Sequence, residues 1–212
     1  MSNAIKSWER NSGKSTLSRI SNGIKKQVPL RERISYTVYK LKTQSSKLHQ
    51  AERRMKDHYN DLFRKCTNSV MAKDTTRASM YANECAEVKK MSQTIVRSTF
   101  AIEQVILRLQ TIEEFGDVVV TMNPVAGVIN SLRGSLAGIV PEVSYVLGEI
   151  GDSMNNMVVE SGGVTAIGMN SYSATEESVR ILTDANAIAE ERMKEKFPTI
   201  PSVESPTAEG TS

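Results

Sequence analysis

Helix breakers, thiols and rings are what this 212-residue sequence has little of. From Leu30 to Phe115 there is neither Gly nor Pro, a run of 86 residues. That excludes glycine- or proline-built turns there and leaves uninterrupted helix as the expectation. The two cysteines, Cys66 and Cys85, and the two histidines, His49 and His58, fit no CxxC or zinc spacing, so a metal module is not expected. Aromatics are 5% of the chain, too few for a thick globular core. With 24% charged residues, the balance suits long helices that bury a narrow seam. No apolar run of roughly 7–15 residues opens the chain, so no secretory signal is expected. The least charged window, Val118 to Leu132, contains Asn123 and Pro124 and stops at Arg133; it is too short to span a bilayer. A cytoplasmic chain, peripheral to a membrane at most, is the expectation.

One string tempts a different reading. Gly13-Lys14-Ser15-Thr16 matches the end of a phosphate-binding loop, but the first glycine of that pattern falls on Trp8. No apolar strand precedes it, and the loop needs both. No acid–base pair, nucleophile constellation or metal set stands out elsewhere. Neither enzyme activity, nor a cofactor, nor a small-molecule substrate is expected.

What is present is unevenly charged. Residues 1–110 carry 22 Lys/Arg against 9 Asp/Glu, and residues 111–212 carry 5 against 15. A basic front fits phosphates of lipid or nucleic acid, and an acidic back can fold onto it and compete. Two solvated faces are the plainer alternative.

Two apolar registers run through the breaker-free stretch. The first is Ile34, Val38, Leu41, Ser45, Leu48, Glu52, Met55, Tyr59, Leu62, Cys66; the second is Ala78, Tyr81, Cys85, Val88, Ser92, Ile95, Thr99, Ile102, Ile106, Leu109. Alternating steps of three and four are the signature of helices packed along a seam. Asp74 is a good N-cap, so an antiparallel hairpin over 30–115 turning near Lys73–Asp74 is expected, its arms about 60 Å long. Facing residues then have numbers adding to roughly 150, which places Cys66 near Cys85. A disulfide between them is sterically conceivable, though packed thiols are the default. Tyr36, Tyr39 and Met80 are expected in the core.

After Phe115, Gly116, Pro124, Gly127, Gly134, Gly138 and Pro141 cut the chain into shorter helices, over about 117–135 and 141–159. Residues 161–175 read as a linker. An acidic helix is expected over 176–196, started by Thr175 and with Val179, Leu182, Ala185 (or Asn186) and Ala189 along one stripe. Residues 197–212 read as a proline-containing tail, and 1–29 as a flexible or amphipathic basic arm.

The stretches "LKTQSSKLHQAERRMKDHYNDLFRKC", "DTTRASMYANECAEVKKM" and "AIEQVILRL" resemble the ESCRT-III family, in its archaeal CdvB-type branch of cell-division proteins. The likeness covers about residues 28–160. It implies an all-α fold, a long antiparallel hairpin followed by three shorter helices. It also implies filaments or rings on the cytoplasmic membrane face at the division site, membrane scission, and a non-enzymatic role. The partners implied are copies of the chain itself, other CdvB paralogues, an anionic membrane surface, and an AAA ATPase with MIT domains that disassembles the polymer. The chain has no room for the winged-helix domain of the longest paralogue, so it reads as a short one.

Three candidate sites follow. In the arm, Ile5, Lys6, Trp8, Arg10, Lys14, Leu17, Arg19 and Ile20 mix cations with apolar side chains, which suits a lipid interface. In the tail, Phe197, Pro198, Ile200 and Pro201 resemble the family's proline-type MIT-interacting motif, whose pre-extended backbone lowers the ordering cost of binding. On the hairpin, Lys40, Lys42, Lys47, Arg53, Arg54 and Lys56, with Arg64 and Lys65, read as a basic face for membrane or subunit contact. The acids Glu176, Glu177, Asp184, Glu190 and Glu191 suggest that the last helix docks on that face. A helical scaffold or nucleic-acid binder with a basic arm is the alternative; no helix-turn-helix or stacking platform supports it.

Overall fold

The computed structural model of the chain describes residues 29–115, 118–160 and 171–197. Among the described residues five helices follow one another: α1 Leu30–Met71, α2 Thr75–Phe115, α3 Val118–Leu136, α4 Pro141–Glu160 and α5 Ser171–Lys196. The fold is all-α, a long antiparallel hairpin followed by three shorter helices. Across the hairpin, Ser35 Oγ donates to Glu113 Oε1 at 2.6 Å, His49 Nε2 meets Glu103 Oε1 at 3.2 Å, and the Cys66 thiol faces the Ala78 carbonyl at 3.5 Å.

The seam is the one the periodicity predicts. Every member of the two registers is buried except Met55 and Tyr81, which are half-buried. Of the polar seam residues, two have partners of different kinds, while the buried Ser92 Oγ has none among the described residues. Thr99 Oγ1 bonds back to the Ile95 carbonyl at 2.9 Å, and Glu52 receives Lys196 from α5 at 2.5 Å. Cys66 and Cys85 are buried free thiols. Burial, and then the neighbouring Cys66, pushes the Cys85 thiol up, which keeps it protonated and unreactive.

The turn is made without glycine. The Asp74 amide reaches back to the Ser69 carbonyl at 2.9 Å and the Lys73 amide to the Val70 carbonyl at 3.0 Å, the paired bonds of a Schellman ending. Lys73 occupies the left-handed position, φ 56°, where glycine is favoured. Asp74 then caps α2, its Oδ1 accepting from the Arg77 amide at 3.0 Å.

Tyr36, Tyr39 and Met80 are not core residues: they are 59%, 67% and 50% exposed. The two tyrosines sit on the side of α1 opposite the seam, where the 3.5-residue pattern has no claim. Pro124 lies inside α3 rather than ending it; helices tolerate proline near their first turns at the cost of a bond and a bend. Pro141 opens α4, the position that loses least from a missing N–H.

The base half of the hairpin is wrapped by the other helices. One apolar cluster joins Ile34, Leu41, Ile102 and Leu109 to Ile129 and Leu132 of α3, Leu147 and Met154 of α4 and Ile181 of α5. A second gathers Tyr59, Leu62, Cys85, Val88 and Val96 of the hairpin with Ala189, Met193 and Phe197. Beyond it, among the described residues, only the two hairpin helices form the tip. Among the described residues no helix is long and apolar enough to cross a membrane.

Candidate functional site

Two helices contact the hairpin arms by different physics. α4 lies antiparallel to α1 and is tied to it by ions: Lys47 pairs with Glu142, Lys40 with Glu149 at 3.5 Å, and Arg33 with Glu160. Cations at 33, 40 and 47 recur every seven residues, which keeps them on one side of a packed helix. Arg54 continues the spacing. The hydrogen bond and charge of Lys47 hold the Glu142 carboxyl below the usual carboxylate range, with Arg54 adding to it. These pairs are solvent-exposed, so each contributes little and weakens with salt.

α5 is held by apolar contact. It begins at Ser171, ahead of Thr175, because nothing between them breaks a helix. Its buried residues are Ile181, Ala185, Ala189, Met193 and Phe197, one every four residues. The stripe is therefore rotated from the expected one: Ala185 and Ala189 belong to it, Leu182 flanks it, and Val179 is 56% exposed. Phe197 ends the stripe. Its amide still bonds to the Met193 carbonyl at 3.2 Å, and its ring meets Tyr59 edge-on with centroids 4.8 Å apart. In this conformation Phe197 is part of the folded bundle. Pro198, Ile200 and Pro201, like the arm residues Ile5, Lys6, Trp8, Arg10, Lys14, Leu17, Arg19 and Ile20, lie outside the described residues.

The far end of α5 is pinned as well. Ser178 Oγ donates to the Pro124 carbonyl at 2.7 Å, and Arg108 pairs with Glu177. A side chain on Gly127 would place its Cβ 3.0 Å from Ser178 Oγ. Gly127→Leu therefore has to displace a hydroxyl that is held in place. We expect it to loosen α5 by about 1–3 kcal/mol, the usual cost of overpacking. Amide hydrogen exchange should report it as roughly ten- to hundredfold faster exchange in α5, with the hairpin tip unchanged.

The charge complementarity expected between α5 and the hairpin is largely absent. Of the five acids, Glu177 meets a hairpin cation, Glu190 accepts from Asn186 on its own helix, and Glu176, Asp184 and Glu191 are exposed. The pair at the other end runs in reverse, with a lysine of α5 on Glu52 of α1. Glu52 Oε2 is also 3.7 Å from His49 Nδ1, and Arg192 lies over the Phe100 ring at 4.8 Å.

Nor do the hairpin cations form one face. Lys40, Lys47 and Arg54 follow the α4 side of α1. Lys42, Arg53 and Lys56 lie on the other side of the seam, at 100° per residue, and are exposed. Arg64 pairs with Asp61 within α1. Sequence reasoning missed the α4 ladder, although Glu142 and Glu149, seven apart, mirror the cation spacing.

No protein-family model and no solved structure matches the chain. Among known proteins it is 40% identical over 177 residues to Cell division protein B1 of Sulfolobus acidocaldarius, covering 84% of this chain and 83% of that one. It is 33% identical over 177 residues to Cell division protein B of the same organism, covering 84% and 68%. Over 117 residues it is 25% identical to Cell division protein B3, covering 55% and 68%.

Proposed function

Because the chain belongs to the CdvB-type, ESCRT-III family of cell-division proteins, we propose that it is a non-enzymatic structural protein of archaeal cell division that polymerises on the cytoplasmic membrane face. In this reading filaments or rings of the chain, alone or with its paralogues, constrict and cut the membrane neck. The basic arm and the unpaired cations of α1 hold the polymer on anionic lipid. An AAA ATPase with MIT domains removes subunits by way of the tail.

The observation that carries the reading is the strap. The stripe that ends α5 covers the second apolar cluster with Ala189, Met193 and Phe197, while Ile181 and Ala185 join the first and a few polar contacts pin the helix at both ends. A helix so placed holds a subunit in a closed form, and its release uncovers Tyr59, Leu62, Val88 and Val96 for a neighbouring copy. Phe197 adds a coupling. It anchors the strap and is also the first residue of the motif proposed to meet the MIT domain, so a closed subunit withholds that residue from the ATPase.

Co-sedimentation of the full chain with anionic vesicles and with duplex DNA, followed by negative-stain microscopy, tests the function. Filaments or coated tubes on lipid are the expected result. Binding to DNA alone, with no polymer, would overturn it.

A further inference from the structure

The unmatched cations on α1 converge with two more from α5. His49, Glu52, Arg53 and Lys56 of α1 and Arg192 and Lys196 of α5 line one recess of about 240 Å³. Four Lys/Arg face a single carboxylate there. That carboxylate is already engaged, one oxygen by Lys196 and the other near His49. Among the described residues no acid pairs with Arg53, Lys56 or Arg192. Arg192 offers its face to Phe100, which leaves the in-plane N–H donors of its guanidinium for another partner. The contrast with the opposite side of α1 is direct: there each of Arg33, Lys40 and Lys47 meets an acid of α4.

From this arrangement we infer that the recess between α1 and the last turn of α5 is a binding site for a compact phosphate anion, either free inorganic phosphate or pyrophosphate, or a phosphomonoester headgroup. Arg53 and Arg192 come from different helices and can each present two parallel N–H donors to phosphate oxygens. Lys56 and Lys196 supply point charge. The volume lies below the range of roughly 300–1,000 Å³ usual for drug-sized ligands, which suits one or two phosphoryl groups rather than a nucleotide. An anion there contacts α5 only while α5 is docked. It therefore stabilises the strap by mass action. The inference goes beyond the membrane-polymer reading and stands whether or not the chain forms filaments, because its first test contains no membrane.

The full chain is titrated with inorganic pyrophosphate in physiological salt, followed by calorimetry and by amide exchange in α5. Saturable binding of one pyrophosphate per chain is expected, with exchange in α5 slowed at least tenfold at saturation. Arg53→Gln with Lys56→Gln should weaken binding at least tenfold; both residues are exposed, so the fold is retained. Arg64→Gln with Lys65→Gln, further along α1, should change it less than twofold. Non-saturable binding, or equal losses in the two double variants, overturns the site and makes the effect one of bulk charge. Vesicles then separate the sources. A preference for phosphatidic acid over phosphatidylglycerol at equal surface charge, abolished by pyrophosphate, identifies a headgroup. Equal affinity for the two vesicles, with pyrophosphate binding intact, identifies free phosphate.

Discussion

Phe197→Ala is expected to detach α5 while leaving the hairpin folded. The ring is 3% exposed and meets Tyr59 edge-on, and truncating a buried phenylalanine costs about 3–5 kcal/mol. The loss falls on the last apolar contact of the stripe, where two of the four other buried residues are alanines, so the C-terminal turns of α5 are held chiefly by Met193 and the Lys196–Glu52 pair. At 1.4 kcal/mol per tenfold, the open population rises at least about a hundredfold. Amide exchange across α5 should accelerate by that factor, with the buried amides of α1 and α2 unchanged. If only open subunits assemble, the concentration needed for polymer on anionic vesicles falls in proportion to the open fraction gained. Met193→Asp, which buries an unpaired charge in the same stripe without touching Phe197, should open α5 to a similar extent. The two variants then part: only Phe197→Ala should lose affinity for an MIT-domain partner. Unchanged exchange in α5 in both variants would show that the stripe does not hold it.

Removal of residues 1–28 is expected to lower the affinity for anionic vesicles about a thousandfold at low ionic strength. The segment holds six Lys/Arg against one Asp/Glu and carries Trp8, the single tryptophan. Each cation near such a surface contributes on the order of 1 kcal/mol, and not every one reaches it at once. Of the cations left on α1, Arg33, Lys40 and Lys47 are already paired with α4, so the exposed Lys42, Arg53 and Lys56 compensate only in part. Vesicle flotation of the full and shortened chains across a salt series measures the effect. The difference should shrink as salt rises, since the Debye length falls from about 30 Å at 0.01 M to about 8 Å at 0.15 M. A shortened chain that floats as well as the full one would place the lipid contact elsewhere.

The hairpin was legible because one physical rule governs it. A seam between two long helices repeats every 3.5 residues, and polar members such as Ser92 and Glu52 did not disrupt it. The glycine-free turn was legible through Asp74, whose capping preference is local. Tyr36 and Tyr39 were misplaced because composition says that aromatics bury and says nothing of which side of a helix they occupy. The strap was half legible. Its stripe was found at Ala185 and Ala189 and lost at the ends, because Pro198 marked Phe197 as tail when the four-residue step from Met193 marked it as bundle. The recess at Arg53 and Arg192 was not legible at all. Its two walls are about 140 residues apart in sequence, and only the docking of α5, set by apolar side chains, brings them together.

The ion ladder between α1 and α4 has a property that follows from its spacing alone. Arg33, Lys40, Lys47 and Arg54 form a rail with equal steps. Slide α4 along it by one heptad, about 10 Å, and Glu142 meets Arg54, Glu149 meets Lys47 and Glu160 meets Lys40, as many pairs as before. Coulomb energy is thus degenerate between the two registers, like a ruler whose marks carry no numerals. The register is fixed instead by unlike shapes: the slide would put Met154 where Leu147 packs in the cluster shared with Ile129 and Leu132 of α3. Charge sets the direction along which α4 lies, and shape alone decides where along it α4 stops.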